Sequence, residues 1–408
     1  MSFNVTIDRK SQCPDAICKY EVHGYRHDAA WGIGPFEFEL ERKAILNDFQ
    51  GLLPAIMASS TRFRSALKFE QIQEEPLDTL VRVGKKLYLS LNPDVRQAIE
   101  LSSSLHLVTN EIEVPWEIMY SSEQFLSLNK PFEISPLFKR SYPEHQIETK
   151  TGRLRILMIV DTKNNLPLTR YETQKIQSLM EENARVDLLV LEGEKATYGN
   201  VRRYLQEEYF DIVHVASHAG FEQDRPEESG VILHDAVLRT RDIYNSTKID
   251  PPWLVFMNAC ESARIRDLSY FEKYEELSGL AFGFVKAGAR SYIGTTSVIN
   301  DSAASEIAVT FYSNLLKGSS VGESFRQAKA EFYKNHPDDL SWSAFTLFGD
   351  PNSKKEFSES VERNLEEDVK NYIREKKNRF NLTQCARDLS ISITDLRRIL
   401  ARLKFNTK

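Results

Sequence analysis

The chain has 408 residues, 41% of them hydrophobic, and a formal net charge of −6. This length predicts two or three domains with substantial cores, and the mixed charge gives no global field that would select nucleic acid or a membrane surface. The four cysteines form no Cys-x-x-Cys pair and no metal-ligand spacing, so we expect reduced thiols, no metal and no cofactor. The amino terminus lacks signal-peptide features and no apolar run is long enough to span a membrane, which predicts a cytoplasmic protein without membrane contact.

The first part of the chain predicts a non-catalytic α+β unit. Residues 1 to 40 alternate apolar and polar side chains, which indicates antiparallel strands with one solvated face, joined by a turn at 31–35. From Glu41 the apolar spacing becomes helical, and the predicted elements are helices near 45–56, 77–89 and 92–101 and a strand at 105–109. No nucleophile stands with a base here, so we predict that residues 1–147 support a catalytic domain. The polar segment 141–152 is typical of a linker.

From residue 154 onwards, apolar runs alternate with amphipathic segments, which predicts a doubly wound parallel sheet with flanking helices. Two of the runs, 211–217 and 253–259, are followed directly by His218 and Cys260. Open α/β sheets place their ligand crevice at the carboxyl ends of strands, so a thiol and an imidazole meet at one edge. These are the parts of a cysteine nucleophile with a histidine base. The alternative is that His218 caps a strand and Cys260 is a small buried residue, while His214 is predicted to be a core histidine.

The sequence around these residues resembles the CHAT domain, a caspase- and separase-like family of clan CD cysteine peptidases. His218 followed by Ala259-Cys260-Glu261-Ser262 carries the resemblance, together with further segments at 114–120, 280–291, 298–301, 311–318 and 342–351. The resemblance covers about residues 80 to 352. It implies that residues 148–356 are a caspase-like peptidase domain with a mostly parallel sheet and flanking helices, preceded by the α+β, pseudo-peptidase-like half.

A cysteine peptidase needs a base and an oxyanion hole, and the sequence offers candidates for both. Free thiols are only a few per cent ionised at neutral pH, so Cys260 needs His218 as base. The backbone N–H of Cys260 is one oxyanion donor, and the resemblance implies that of Ala219 as the second. Family members often have glycine at this position, so an alanine requires a backbone without positive φ.

The resemblance also implies a substrate pocket for a basic residue before the cut bond of a protein substrate. In separases an aspartate after the next strand pairs with a substrate arginine, and Asp301 matches it by place. An N-cap of the predicted helix 303–316 is the alternative role of Asp301. Metacaspases carry an acid two residues before the cysteine, where this chain has the neutral Asn258.

The last part of the chain has a different composition. Residues 352–364 are typical of a second linker, and residues 361–408 contain 12 Lys or Arg and 7 Asp or Glu. Three helices are predicted, at 365–377, 383–389 and 393–404. Residues 357–408 resemble the small all-α Fis-type helix-turn-helix of bacterial regulators, which implies DNA contacts by Thr394, Arg397, Arg398 and Arg402. A basic helical hairpin that dimerises or docks on a protein is the alternative.

Together these patterns give three hypotheses. The first is a cysteine endopeptidase that cuts a protein partner after a basic residue and is regulated through a helix-turn-helix that binds DNA or a regulator, with bacterial defence signalling as a setting implied by the resemblance. The second is a DNA-binding regulator or scaffold with a catalytically silent CHAT region. The third is an interaction module with neither activity.

Overall fold

The computed structural model describes residues 2–10, 17–26, 32–58, 75–136, 148–150, 153–181, 186–222, 224–244, 251–259, 262, 279–357, 365–376, 381–389, 391 and 393–403. Within these ranges, no helix combines the length and the apolar character that crossing a bilayer requires.

The amino-terminal half contains three antiparallel strands, a group of helices, two further strands of the main sheet and a small two-stranded antiparallel sheet. Its strands are β1 (Ser2–Arg9), β2 (Cys18–Arg26), β3 (Gly32–Leu40), β4 (Ser104–Thr109), β5 (Tyr120–Ser121), β6 (Gln124–Phe125) and β7 (Phe132–Pro136). Its helices are α1 (Arg42–Gly51), α2 (Leu53–Ala58), α3 (Pro76–Ser90), α4 (Pro93–Leu101) and α5 (Leu126–Asn129), with a 3-10 turn at Trp116–Ile118. The predicted helices and the strand at 105–109 are all present, and Asn92 caps α4 by accepting from the N–H of Asp94.

The second half alternates strands and helices, as predicted. Its strands are β8 (Glu148–Lys150), β9 (Leu154–Val160), β10 (Val186–Glu192), β11 (Ile212–Ala216), β12 (Ala219–Gly220), β13 (Gly230–Ile232), β14 (Val237–Arg239), β15 (Leu254–Asn258), β16 (Ser291–Thr295), β17 (Phe345–Gly349) and β18 (Lys355–Phe357). Its helices are α6 (Pro167–Glu181), α7 (Tyr198–Glu207), α8 (Thr240–Tyr244), α9 (Leu280–Lys286), α10 (Asp301–Leu316) and α11 (Val321–Asn335), and 3-10 turns occupy Gly193–Lys195, Pro226–Glu228 and Leu340–Ala344.

One sheet of 11 strands runs through both halves in the order β10-β9-β11-β15-β16-β17-β7-β4-β1-β2-β3. Neighbours from β10 to β16 are parallel, β17 is antiparallel to β16, and the strands from β17 to β1 are parallel again. The α/β fold with a mostly parallel sheet and flanking helices is therefore confirmed. The predicted boundary between 147 and 148 stays a prediction, and strands from both sides of it belong to the same sheet and hydrophobic core.

Burial explains why the central strands are continuous apolar runs. All seven residues of β9 and all five of β11 are buried, because helices cover both faces of a parallel sheet. By contrast, β3 lies at the edge of the sheet and alternates between partly buried and exposed residues. The core is therefore thickest around β9, β11 and β15, which lead to the candidate site.

Three predicted connections, the turn and the two linkers, contain strands instead. Residues 32–35 of the predicted turn belong to β3, because a proline at a sheet edge costs no ladder hydrogen bond and Gly34 supplies a φ of +99°. Within the predicted linkers, β8 pairs with β18. Lys355 of β18 is buried and ion-paired with Asp211, so a charged residue there is part of the fold.

The carboxyl-terminal part contains the three predicted helices, α12 (Leu365–Lys376), α13 (Leu382–Asp388) and α14 (Ile393–Arg402). They bury a small apolar cluster of their own, separate from the main core, that includes Val369, Cys385 and Leu396. Ser392, which directly precedes α14 in the sequence, lies outside the described residues.

Candidate active site

The strands β9, β11 and β15 end together at one edge of the sheet. Val160 pairs with Ala216, and Ala216 pairs with Asn258, so the last residues of the three strands are in register. His218 follows Ala216 by two residues, and Cys260 follows Asn258 by two residues in the sequence. The structure describes His218 at this edge, whereas Cys260 and Glu261 lie outside the described residues.

The residues on both sides of Cys260 are held by β16. Thr295 Oγ1 donates to the carbonyl of Ala259 at 2.9 Å, and the Thr295 N–H donates to Ser262 Oγ at 3.2 Å. The Tyr292 hydroxyl donates to the Ser262 carbonyl at 2.7 Å, and burial raises the pKa of Tyr292, so it stays a donor. All of these groups are buried. The chain therefore enters and leaves the Cys260 position through fixed points.

His218 is held by one ring nitrogen. Its Nε2 lies 3.0 Å from Asn165 Oδ1, and an amide oxygen only accepts, so Nε2 carries the proton of this bond. The backbone carbonyl of His218 accepts from the Ile232 N–H at 2.9 Å. Among the described residues Nδ1 has no hydrogen-bond partner, and the side chain is only partly buried. The ring therefore offers Nδ1 as its basic atom.

The loop that carries Asn165 is organised by Asp161, the residue directly after β9. The buried Asp161 carboxylate accepts from the N–H groups of Asn165 and Leu166 at 2.7 and 2.9 Å and from Arg170 Nε at 2.9 Å. Asp161 has a φ of 40° and Asn164 a φ of 56°, which are rare conformations for residues other than glycine. Such locally costly backbone is typical of functional loops, and here it places Asn165 against His218.

The backbone of Ala219 has no positive φ, which is what an alanine at this position requires. Ala219 and Gly220 form β12, in which Ala219 pairs with Val231. Among the described non-glycine residues, positive φ occurs at Ser122, Glu123, Asp161 and Asn164, and Ala219 is not one of them. A methyl group at position 219 is therefore accommodated without backbone strain.

A buried carboxylate lies beneath the site. Asn258 Nδ2 donates to both oxygens of Glu172, each at 2.9 Å, and Glu172 Oε1 lies 3.2 Å from His214 Nε2. His214 Nδ1 lies 3.1 Å from the hydroxyl of Tyr312, whose pKa is raised well above its usual range by burial and by Glu172. His214 is buried, as predicted. The side-chain amide of Asn258 is therefore hydrogen-bonded to Glu172.

Asp301 is the first residue of α10, and its side chain is exposed. Asn300 caps this helix, since its side chain accepts from the Ser302 N–H at 3.0 Å. The alternative role of Asp301 as the N-cap is therefore wrong, because the helix begins two residues earlier than predicted. The role of the exposed Asp301 in a substrate pocket for a basic residue stays a prediction.

The CHAT domain model matches residues 81–350, about two thirds of the chain. The chain belongs to the CHAT domain family. The comparison with curated protein sequences finds no significant match.

Solved structures of a separase and of a gingipain are similar to this CHAT protein. The Saccharomyces cerevisiae separase in its complex with securin is 13% identical with a TM-score of 0.48, over 88% of this chain and 30% of the separase chain. Gingipain R, an Arg-specific cysteine proteinase, is 12% identical with a TM-score of 0.45, over 68% of each chain. The CHAT protein thus spans about 30% of the separase length.

The predicted DNA contacts of the CHAT protein lie on α14. Arg397, Arg398 and Arg402 are exposed, and the side chain of Thr394 lies outside the described residues. Arg397 lies 3.9 Å from Glu207 at the end of α7, and Arg402 lies 3.4 Å from Glu366.

Cysteine chemistry in the described part of the CHAT protein differs from the expectation of reduced thiols. Cys18 is disulfide-bonded, so that expectation is wrong for this residue. Cys385 is free and buried, and burial together with Asp388 raises the pKa of its thiol to about 12. No group of His, Cys, Asp or Glu within the described ranges could hold a metal ion.

Sequence reasoning missed three residues that position the site. Asn165, Glu172 and Thr295 contact His218, Asn258 and the residues flanking Cys260, respectively. Asn165 and Thr295 stand just after or at the end of a predicted strand, at the same sheet edge, which is a usable signal. Glu172 is on a helix, and its acidic side chain at a buried position has no local sequence signature.

Proposed function

We propose that this CHAT protein is a cysteine endopeptidase in which Cys260 is the nucleophile and His218 the base. The observation that carries the proposal is the position of His218 two residues beyond β11, with an Nδ1 that has no hydrogen-bond partner among the described residues. Cys260 follows the paired strand β15 by the same number of residues. Membership of the CHAT family supports the same assignment.

The reaction follows from the two groups. His218 Nδ1 takes the thiol proton, and the Cys260 sulfur attacks the scissile carbonyl carbon of a protein substrate. The amine leaves with the proton that the imidazole returns, and water then hydrolyses the thioester to release the acid and regenerate the thiol. The N–H groups of Ala219 and Cys260 are the proposed donors to the oxyanion, and each such donor contributes about 2.7–4 kcal/mol in measured cases.

The hydrogen bonds from β16 support this chemistry through preorganisation. Thr295 and Tyr292 fix the carbonyls of Ala259 and Ser262, the described residues on either side of Cys260 and Glu261. A fixed backbone keeps the oxyanion donor in place before the substrate arrives, so that no reorganisation is needed in the transition state. Glu172 fixes Asn258 on the strand side.

We propose a preference for a basic residue before the cut bond, with Asp301 as its partner. Because Asp301 is exposed, its contribution corresponds to a solvated ion pair of about 1 kcal/mol at most, and not to a buried one. Asp301→Asn should therefore lower kcat/KM for arginyl peptides about fivefold and leave leucyl peptides unchanged. If the wild type and Asp301→Asn show the same cleavage preferences on a peptide library, this assignment is wrong.

We propose that residues 357–408 bind DNA or a regulatory protein as a helix-turn-helix in the cytoplasm, with bacterial defence signalling as the setting implied by resemblance. The separate apolar cluster and the exposed arginines of α14 support this. Replacing Arg397 and Arg398 by alanine should reduce the salt dependence of DNA binding by a slope of about two, one for each lost phosphate contact. If the wild type and the double variant are retained equally on DNA, docking on a protein is favoured instead.

Hydrolysis of unfolded protein substrates tests the peptidase proposal. The wild-type chain should cleave casein, and Cys260→Ala should abolish cleavage with a change in unfolding free energy of no more than about 1–2 kcal/mol. Cys385→Ala is the matched control and should retain full activity, because its thiol lies in the carboxyl-terminal cluster. Cleavage by Cys260→Ala would contradict the assignment. Absence of cleavage by the wild type would leave the second hypothesis, a DNA-binding regulator with a silent CHAT region.

A further inference from the structure

A cavity of about 520 Å³ lies where the amino-terminal helices meet the loops after β16 and before β17. This size is within the range of small-molecule sites in proteins. Its walls are mainly apolar and include Leu46, Phe49, Leu53, Ile134, Phe345 and Phe348. None of the proposed catalytic, oxyanion or substrate-binding residues lines it.

One wall carries a hydroxyl group without a partner. Ser297 lines the cavity, its side chain is only 6% exposed, and its Oγ has no hydrogen bond within the described part of the chain. Leaving a buried polar group unpaired costs about 1–3 kcal/mol. A ligand that forms a hydrogen bond with Ser297 would remove this cost, so the hydroxyl marks a polar anchor in the wall of the cavity.

The charges around the cavity are already balanced. Glu113 lies 2.7 Å from Arg42 Nη2. The buried Glu117 accepts from Thr346 Oγ1 and faces the ammonium of Lys329, which is itself buried against the Phe325 ring at 4.6 Å. Each carboxylate thus has a cationic neighbour, and an added anion would lie against two acids. The cavity therefore favours a neutral ligand.

We propose that this cavity is a binding site for a neutral, mostly apolar small molecule that carries a hydroxyl or amide group, with Ser297 as its polar anchor. The site is linked to the sheet edge, because Thr296 donates to the Ala344 carbonyl through both its N–H and Oγ1, at 2.9 and 3.1 Å. Thr296 directly follows Thr295, which holds the residues flanking Cys260. A regulatory effect on the thiol follows from this link and rests on the proposed function.

Calorimetric titration of the full chain with phenylhexanol tests the site itself and does not depend on any peptidase activity. We expect binding with a Kd on the order of 0.1 mM. Ser297→Ala should weaken binding roughly fivefold, as expected for the loss of one hydrogen bond. Ser297→Phe should abolish binding because the ring occupies the space beside residue 297 in which the ligand would lie.

The matched control is Ser324→Ala, because Ser324 Oγ is also buried and has no hydrogen bond to any described residue, but lies on α11, away from the cavity. This variant should bind phenylhexanol like the wild type. No binding to the wild type, unchanged binding to both Ser297 variants, or equally tight binding of phenylhexanoate would each overturn the proposal. If Ser297→Phe does not fold, binding to Ser297→Ala still tests the proposal. This variant removes only a hydroxyl that has no hydrogen bond to any described residue.

The regulatory effect has a separate readout. Saturating phenylhexanol should change the rate of Cys260 alkylation by iodoacetamide about fivefold in the wild type and leave it unchanged in Ser297→Phe. Binding without any change in the alkylation rate would contradict the link and leave the site intact.

Discussion

Asn258 donates to both carboxylate oxygens of Glu172, at 2.9 Å each, from the last position of the strand that leads to Cys260. This contact accounts for a neutral residue where metacaspases carry an acid. Glu172 already supplies a buried negative charge there, and a second carboxylate would face it without an intervening cation.

The first prediction concerns this pair. Asn258→Asp should lower the free energy of unfolding by about 1–3 kcal/mol at pH 7, because it replaces two hydrogen bonds with repulsion between like charges. Urea denaturation at pH 7 measures the loss. Asn352→Asp, on the exposed surface, is the control and should change stability by less than about 0.5 kcal/mol. Equal effects of the two substitutions would contradict this account.

The second prediction concerns the orientation of His218. Asn165→Leu removes the acceptor of the Nε2 bond and should lower kcat for peptide hydrolysis roughly 10- to 100-fold with little change in KM. Asn165→Asp keeps an acceptor oxygen at the same place and should retain most of the activity. Because Asn165 is exposed, neither substitution should move the thermal midpoint much. If leucine and aspartate behave alike, Asn165 does not position the imidazole.

The third prediction concerns the backbone on either side of Cys260. Thr295→Val keeps the side-chain shape but leaves the Ala259 carbonyl without its side-chain donor, and should reduce kcat about tenfold. Thr173→Val is a matched control, since buried Thr173 donates only to the Thr169 carbonyl within α6. It should lose similar stability and keep kcat. Comparison of kcat with urea midpoints separates positioning from a general loss of stability.

The fourth prediction follows from a buried cation. Burial lowers the pKa of Lys329 from 10.5 to about 8, against the opposing attraction of Glu117. Between pH 8 and 10.5 the unfolded chain therefore binds more protons than the folded one, so this lysine makes stability rise with pH across that window. The total gain is roughly 3 kcal/mol and is complete above pH 10.5.

Comparison with a double variant isolates this effect from the other titrating groups. The stability of the wild type relative to Glu117→Gln/Lys329→Met should increase by roughly 3 kcal/mol from pH 8 to 10.5. Lys334→Met, at an exposed position of the same helix, should run parallel to the wild type. A constant difference between the wild type and the double variant would show that Lys329 stays charged throughout.

Much of the fold could be predicted because its signals are local. The continuous apolar run of β9 and the alternation of strands and helices after it indicate a parallel sheet, and the small-residue ends of β11 and β15 indicate its reactive edge. Glycine and proline predict a turn at 31–35. In an edge strand, however, the same residues are compatible with extended structure. That position depends on the order of all the strands in the sheet, in which β3 comes last, and this order is not a local property.

The site could be predicted only in part for the same reason. His218 and Cys260 could be recognised from their residue types and from the predicted strands that precede them. Glu172 reaches Asn258 from a helix 86 residues away in sequence, and Thr295 reaches Ala259 across 36 residues. The packing of α6 and the pairing of β16 within the sheet determine these contacts. The residue pattern within either segment does not predict them.

Selective labelling of Cys260 tests the central assignment most directly. An arginyl acyloxymethylketone probe, followed by peptide mapping at pH 7.5, should modify Cys260 in the wild type and fail to do so in His218→Ala. Cys385 is the internal reference, since a pKa of about 12 leaves its thiol protonated and it should stay unmodified in both proteins. Labelling of Cys260 at the same rate without His218 would contradict the pairing of thiol and imidazole.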